Sequence, residues 1–335
     1  MTVAALTYDL APGARNAIRT CLKVTPEERA VIVTDRETLP VAESLAGEVR
    51  DVGAPFEMHV LEDYGERPML KLPLPVREGL ERAEVSIYAA QPQPGELASR
   101  RELTAIVNRR RMRHAHMVYM TPRIMAEGMR ADFEVIDAIS TRVRDRAVKA
   151  KRIRARSRAG SEIEATFDPT VRWLKTSGLI TPEKWANLPG GEVLTAPARV
   201  DGVYVVDGVL GDYLCARYGD IEETPLTVWI ENSRVAGVQC ERPEICDDFL
   251  EYVDSADNSD RVGELAMGTN VAVHSIIGNI LQDEKLPGLH LAFGHPYSEH
   301  TGASWSCPTH LDIVGRHFDV WFDDDQVMSD GKFLI

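Results

Sequence analysis

The sequence is short of cysteine, with five residues in all: Cys21, Cys215, Cys240, Cys246 and Cys307. Their number is odd and no two are spaced as Cys-x-x-Cys, so neither a disulfide framework nor a cysteine-based zinc knot is indicated. The sequence also lacks a run of about 18 consecutive apolar residues, the minimum for a membrane span. The N-terminal segment has no basic start followed by an apolar run, because Asp9 interrupts it, and so does not resemble an export signal. We therefore expect a soluble cytoplasmic protein.

The sequence has fewer basic than acidic residues. Lysine and arginine number 38 against 52 aspartate and glutamate residues, which gives a formal net charge of −14. Because an acidic surface repels phosphate backbones, nucleic-acid binding is not expected. At 335 residues the chain exceeds the size at which one hydrophobic core usually keeps growing, so we expect two domains.

The first 150 residues alternate strand-like and helix-like segments. Short apolar runs at 30–35 and 84–90 are followed by segments with apolar residues at helical spacing at 37–53 and 97–112. The same pattern predicts a strand at 116–120 and a helix at 133–148. Such alternation is typical of a mainly parallel sheet with helices on both faces. No GxGxxG or GxxxxGK motif follows any of these strands, so no nucleotide site is indicated.

From residue 151 onward, helical periodicity gives way to a period of two. Ile153 and Ala155 alternate with arginines at 152, 154, 156 and 158, and this run is followed by Gly160. Two strands joined at a glycine are the simplest interpretation, with the arginines on a solvated strand face rather than in an anion site. Further strands are predicted at 202–209, 226–231, 289–293 and 318–322, and a helix at 271–281. The expected architecture is an α/β domain with a mainly parallel sheet, residues 1–150, followed by a β-rich α+β domain, residues 151–335.

Histidine is concentrated near the C-terminus. Six of the nine histidines fall within 44 residues: His274, His290, His295, His300, His310 and His317. The same stretch and its approach contain oxygen donors, namely Glu264, Asp283, Glu284, Tyr297 and Asp312. Imidazole and carboxylate groups are ligands for zinc, cobalt, manganese and iron. The C-terminal half is therefore expected to bind metal.

Spacing strengthens this expectation. His310 and Asp312 are two apart in a strand-like run, so both project from one face. Each residue taken singly also fits a structural role: His290 as a core histidine, Glu284 as a helix-end carboxylate and Tyr297 as a loop aromatic. Their joint occurrence favours a metal site.

The order of motifs resembles the thermophilic leucyl aminopeptidase (aminopeptidase T) family of metallopeptidases. The motifs are NLPGGEV at 187–193, GEL at 263–265, GTN at 268–270, DEK at 283–285, GLHLAFG at 288–294, Tyr297 and HLD at 310–312. The resemblance covers residues 187 to 335, whereas the N-terminal half is similar to the family only in its α/β pattern.

The resemblance implies two divalent metal ions (zinc, cobalt or manganese) and six ligands: Glu264, Glu284, His290, Tyr297, His310 and Asp312. Such a pair of ions lowers the pKa of a water molecule and polarises the scissile carbonyl. Glu264 or Glu284 would then carry a proton to the leaving amine. The implied activity is a metallo-aminopeptidase-like hydrolysis of short peptides or a related amide by a homodimer. The roles of Glu192 and Cys307 stay open.

A second interpretation is that the chain is an iron enzyme. It also resembles the dihydroxypyridine ring-cleaving dioxygenases, which share the fold but use one Fe(II) bound by two histidines and an aspartate. The final pair would correspond to His310 and Asp312, whereas the first histidine would correspond to Glu264. Retention of Glu284, His290 and Tyr297 favours two metals. Hydrolysis of a non-peptide amide and a purely structural metal site are the remaining alternatives.

Overall fold

The computed structural model describes residues 8–335, and the chain forms two compact units. Unit 1 comprises the residues up to Glu134 together with Gly178–Gly190, and unit 2 comprises Val135–Ser177 and Gly191–Ile335. These units do not coincide with the predicted division at residue 150, because the chain enters unit 2 near the start of a helix and later returns to unit 1 for a short segment. No helix within residues 8–335 is long and apolar enough to cross a membrane.

Unit 1 is built on a parallel sheet of five strands in the order β2-β1-β3-β4-β8, with strands numbered along the chain. The strands are β1 Ala30–Thr34, β2 Phe56–Val60, β3 Val85–Ala89, β4 Arg113–His116 and β8 Ala186–Asn187. Helix α6, Phe133–Ala147, lies almost entirely in unit 2, and the α-helices before it, α1 Ala11–Arg15, α2 Leu39–Val52, α3 Leu74–Arg82, α4 Leu97–Arg110 and α5 Pro122–Ala126, belong to unit 1. A π-helical turn, Asn16–Cys21, and 3-10 turns at Leu61–Asp63 and Gly128–Arg130 complete it. The α/β expectation is confirmed.

The strand predicted at 116–120 was placed three residues too late at its start and four too late at its end. Strand β4 runs from Arg113 to His116 and pairs with β3 in parallel from Val85 to Tyr88. Most side chains of β4 are polar, so the strand lacks the apolar run by which a buried strand is recognised in a sequence. They are tolerated because Ser86 Oγ and His114 Nδ1 lie 2.8 Å apart, and His114 Nε2 lies 3.1 Å from His116 Nδ1.

Unit 2 contains two antiparallel sheets. One has eight strands in the order β12-β11-β10-β6-β5-β16-β17-β18, and the other has five in the order β15-β14-β13-β9-β7. The eight-stranded sheet consists of β5 Arg152–Ser157, β6 Glu162–Thr166, β10 Arg199–Val206, β11 Leu226–Glu231, β12 Arg234–Gln239, β16 Phe318–Phe322, β17 Asp325–Ser329 and β18 Lys332–Phe333. The five-stranded sheet consists of β7 Leu174–Thr176, β9 Glu192–Thr195, β13 Val262–Gly268, β14 Gly288–Gly294 and β15 His310–Val314. The helices are α7 Tyr213–Tyr218, α8 Pro243–Val253, α9 Ile280–Asp283 and α10 Ser298–Thr301.

The arginine row of β5 is an ion-paired surface. Arg152, Arg154, Arg156 and Arg158 pair with Glu164, Asp324, Glu162 and Asp330 respectively, and their side chains are between 41% and 68% exposed. Exposed pairs of this kind contribute little to stability, about 0–1 kcal/mol each. The row is a solvated strand face, as its alternation indicated.

The helix predicted at 271–281 was wrong. Only Ile280–Asp283 is helical, and the residues before it form a loop. The buried Asp283 carboxylate holds this loop by accepting hydrogen bonds from the backbone N–H groups of Ile277, at 2.9 Å, and Asn279, at 2.8 Å. Apolar residues such as Ile276 are buried there without helical geometry, so burial alone had imitated the helical pattern.

Candidate metal centre

The five-stranded sheet of unit 2 is apolar on one face and polar on the other. The apolar face lies in the main core of the unit and includes Val193, Leu265, Met267, Leu289, Leu291, Phe293, Leu311 and Ile313. The register pairs Glu264 with Ala292, and Ala292 with Asp312, across three adjacent strands. Steps of two along the strands then assign to the opposite face Glu192, Glu264, His290, His310 and Asp312. The small residues Ala266, Gly268, Ala292 and Gly294 lie on the same face, and Leu194 and Val314 flank the group as cross-strand partners of Ala266 and His290.

Glu264 lies at the centre of this polar face. Its Oε1 is 3.9 Å from His290 Nε2, and its Oε2 is 3.9 Å from His310 Nε2. One buried carboxylate is thus shared by two imidazoles, and its two oxygens are directed to different halves of the site. A carboxylate in this position is suited to bridging two cations.

The first half of the site contains His290 and Glu192. One ligand atom from each of Glu192, Glu264 and His290 lies within 4.8 Å of the others, and all three residues are buried. His290 Nε2 lies 2.9 Å from Glu192 Oε1. Three convergent donors of this chemistry match the ligands of zinc and related divalent metals.

The second half contains His310, Asp312 and Tyr297. His310 Nε2 lies 3.4 Å from Asp312 Oδ1, and the Tyr297 ring centroid is 5.0 Å from that of His310. His310 Nδ1 donates a hydrogen bond to the His295 carbonyl oxygen at 3.1 Å, which leaves Nε2 facing the carboxylates. A backbone acceptor behind a ligating histidine is the usual way in which its tautomer is selected.

Lys285 is the cation of the site. Its ammonium lies 2.9 Å from Glu192 Oε2 and 2.5 Å from Glu284 Oε1, and its side chain is 4% exposed. Glu284 lies at the C-terminal end of α9 and its side chain is 15% exposed, so it is the more accessible of the two carboxylates.

The electrostatics of the site favour a further positive charge. Burial raises the pKa of Glu264 to about 8, and the adjacent Glu192 carboxylate adds to this rise. Burial also raises the pKa of Glu284 to about 7 against the attraction of Lys285. Burial would lower the pKa of His310, but Asp312 and Glu264 outweigh it and raise that pKa to about 10. Crowded carboxylates thus retain protons that a divalent cation would replace.

Two buried atoms of the group have no hydrogen-bond partner, namely His290 Nε2 and Glu264 Oε2. His290 Nε2 is close to Glu192, but the direction of the contact is not that of a hydrogen bond. An unpaired buried donor or acceptor is costly, about 1–3 kcal/mol. A divalent cation beside His290 would pair the first of these atoms and one beside His310 would pair the second, so the residues present fit metal ions.

The six residues implied by the sequence therefore lie in one unit and around one polar face. Among the clustered histidines, His290 and His310 lie in the group and His295 supports His310. His274 and His300 are exposed, and His317 pairs with Asp330 on the surface. Cys307 is buried, with its Sγ 3.1 Å from the Thr309 hydroxyl.

Sequence reasoning had left Glu192 open and had not considered Lys285. Glu192 opens β9, in which all four residues are buried. A carboxylate beginning a fully buried strand directly after Pro189-Gly190-Gly191 was the available signal, because a buried charge needs a partner. For Lys285, the only signal was its position beside Glu284.

Comparison with known proteins identifies a family for the chain. Residues 116–309 match the family described as thermophilic metalloprotease (M29), a match that ends just before His310. No curated protein matches the sequence.

Two solved structures share the fold. A 2,5-dihydroxypyridine dioxygenase from Pseudomonas putida KT2440 is 16% identical with a TM-score of 0.70, covering 97% of this chain and 96% of that chain. Wild-type AmpT from Thermus thermophilus is 17% identical with a TM-score of 0.69, covering 97% and 99%. The family match spans more than half of the chain, and the chain therefore belongs to the thermophilic metalloprotease (M29) family, as a metal-dependent hydrolase.

Proposed function

We propose that the protein uses two divalent ions (zinc, cobalt or manganese) to remove the N-terminal residue from short peptides or a related amide. The observation that carries this proposal is the position of Glu264 between two imidazoles, with one oxygen directed toward each. Such sharing is expected where two cations lie side by side. The proposed ligands are the six residues implied by the sequence together with Glu192.

The ligands fall into two groups, one for each ion. His290 and Glu192 would hold one ion, His310 and Asp312 the other, and Glu264 both. When bound, such ions lower the pKa of a water molecule and polarise a carbonyl. Glu264 and Glu284 are the candidates for moving a proton to the leaving amine, and Glu284 is the more exposed of the two. The four carboxylates would attract the cationic amino terminus of a peptide.

The first test is elemental analysis of protein purified without added metal or chelator. Two zinc, cobalt or manganese ions per chain, followed by turnover of dipeptides or aminoacyl amides, are expected. His310→Ala should lose at least one ion and all activity, whereas His300→Ala, at an exposed histidine, should retain both. Normal metal content in His310→Ala would contradict the assignment.

The second candidate is a mononuclear iron oxygenase. The observation that favours it is that His310 contacts both Glu264 and Asp312, one imidazole with two carboxylates, on a fold shared with a dioxygenase. It predicts one iron per chain and oxygen uptake with dihydroxypyridines. That outcome would replace the hydrolase proposal.

We also propose a homodimer, which sedimentation of the purified protein tests directly. A single species at the mass of one chain would reject it.

A further inference from the structure

Lys285 introduces a fixed positive charge into one half of the metal site. Its ammonium contacts both Glu192 and Glu284, at 2.9 and 2.5 Å. In the other half, no lysine or arginine pairs with Asp312 in the described part of the chain, and the partner of its carboxylate is His310. The carboxylates of the first half therefore face a lysine ammonium, whereas Asp312 in the second half faces an imidazole.

The backbone prevents Lys285 from withdrawing. Leu286, the residue after Lys285, packs against Gly268 of β13. The contact is so close that a Cβ at position 268 would be 2.0 Å from the Leu286 carbonyl oxygen. The Lys285 carbonyl accepts a hydrogen bond from the Asn270 N–H at 3.1 Å, and the Lys285 N–H donates to the Gln282 carbonyl oxygen at 2.8 Å. The lysine backbone is thus held from both sides.

The register explains why the ammonium reaches Glu192. Gly268 is the direct cross-strand partner of Glu192, so the segment that packs on Gly268 lies beside that carboxylate. The lysine side chain is only 4% exposed. If it turned toward solvent, two buried carboxylates would lose their cationic partner. Its charge is therefore a permanent feature of this half.

We propose that Lys285 makes the two ion sites unequal. It competes with the ion held by His290 and Glu192, which therefore binds less tightly than the ion held by His310 and Asp312. This rests on the proposed two-ion site. The physical reason is that an ion entering beside His290 must share Glu192 and Glu284 with an ammonium and approach a like charge in a site of low dielectric. In this scheme Lys285 acts through its charge on the neighbouring ion and touches no substrate.

The experiment is calorimetric titration of the metal-free protein with Zn²⁺, repeated with Co²⁺. The wild type should bind two ions in two resolved steps. His290→Ala should remove the weaker step and His310→Ala the tighter one. Two equal steps in the wild type, or loss of the tighter step in His290→Ala, would overturn the proposal even if Lys285 variants do not fold.

Variants of the lysine then test the cause. Lys285→Met should strengthen the weaker step by about tenfold or more, since a unit charge within a few ångströms is removed, and should leave the tighter step unchanged. Lys285→Arg keeps the charge and should keep the steps unequal. Lys175→Met removes an ammonium from another ion pair of the same unit, with Asp137, and should change neither step.

The outcomes separate this inference from the proposed function. A wild type that binds no divalent ion overturns both. Two ions with peptide turnover, but no strengthening of the weaker step in Lys285→Met, would retain the hydrolase and reject the competition. A weaker step that becomes weaker still would show that Lys285 organises the ligands instead, which also rejects it.

Discussion

Glu264 organises the site because each of its two carboxylate oxygens faces a different histidine. Glu192 likewise uses both of its oxygens: one lies beside His290 and the other contacts the Lys285 ammonium. Burial would raise the pKa of Glu192, but Lys285 and His290 lower it to about 2, so this carboxylate stays ionised. An ionised carboxylate next to an unpaired imidazole nitrogen is a strong candidate ligand.

Glu192→Gln should weaken the ion beside His290 by at least about tenfold, because it keeps the side-chain shape but removes the ligand charge. The ion at His310 and Asp312 should keep its affinity. Calorimetric titration with Zn²⁺ measures both. Glu162→Gln, an exposed glutamate of unit 2, is the matched control. An unchanged Zn²⁺ titration in Glu192→Gln would remove Glu192 from the site.

At the scale of the element, strand β14 contributes one face to the hydrophobic core and the other to the metal site. All seven of its residues, Gly288–Gly294, are buried, so it reads as a single apolar segment. Its neighbours separate the faces: Leu291 lies in the main core, whereas Ala292 is the cross-strand partner of both Glu264 and Asp312. A small residue at 292 is what leaves space between those two carboxylates.

Ala292→Leu should abolish binding of at least one ion while the fold is retained, because three added carbons enter the space between the ligands. Metal analysis and far-ultraviolet circular dichroism measure the two effects. Leu291→Ala, one residue away on the other face, should have the opposite profile. It should cost about 2–5 kcal/mol of unfolding free energy and keep its metal content. Normal metal binding by a folded Ala292→Leu protein would refute the geometry.

At the scale of the whole molecule, the two units depend on different conditions. Unit 2 holds the crowded carboxylates, so divalent metal should stabilise it. Unit 1 buries the chain of Ser86, His114 and His116, where burial and the neighbouring charges keep the imidazoles neutral. Burial lowers the pKa of His114 well below its ordinary value, and burial together with Arg100 lowers that of His116 to about 3.

Removal of metal with a chelator should lower the melting temperature of the protein. Zinc at a hundredfold excess over its dissociation constant should restore about 2.7 kcal/mol of stability, because ligand binds only the folded site. Differential scanning calorimetry measures the shift. Zinc should give little shift in His310→Ala, and an equal shift there would contradict this origin.

Acid should destabilise unit 1 through its two buried histidines. Their pKa values are lower in the folded state than in the unfolded state, so the unfolded state binds more protons as pH falls below about 6.5, and folding stability falls with it. Each histidine contributes about 1.4 kcal/mol per pH unit within that window. Urea unfolding between pH 4 and 7, followed at Trp185, measures the slope.

His116→Gln should make that slope shallower, whereas His300→Asn, at an exposed histidine, should not change it. Trp185 is suited to report because its ring lies 5.5 Å from that of His116. A His116→Gln protein with the slope of the wild type would assign the acid sensitivity to other groups.

The sequence by itself determined the α/β alternation of unit 1, the strand-rich character of unit 2 and the motif residues Glu264, His290, His310 and Asp312. These are recoverable because periodicity and motif spacing are local properties of the chain. Local signals also misled, since the loop at 271–279, which buries Val273 and Ile276, imitated a helix, and the polar strand β4 was predicted too late in the sequence.

Only the tertiary structure decided which charges meet. Lys285 and Glu192 are 93 positions apart, and their contact depends on the pairing of β9 with β13 and on the close packing at Gly268. It also decided where the units divide, because a chain that returns to its first unit at 178–190 carries no local mark of doing so. Long-range pairing arises from the packing of whole sheets, which no spacing along the chain records.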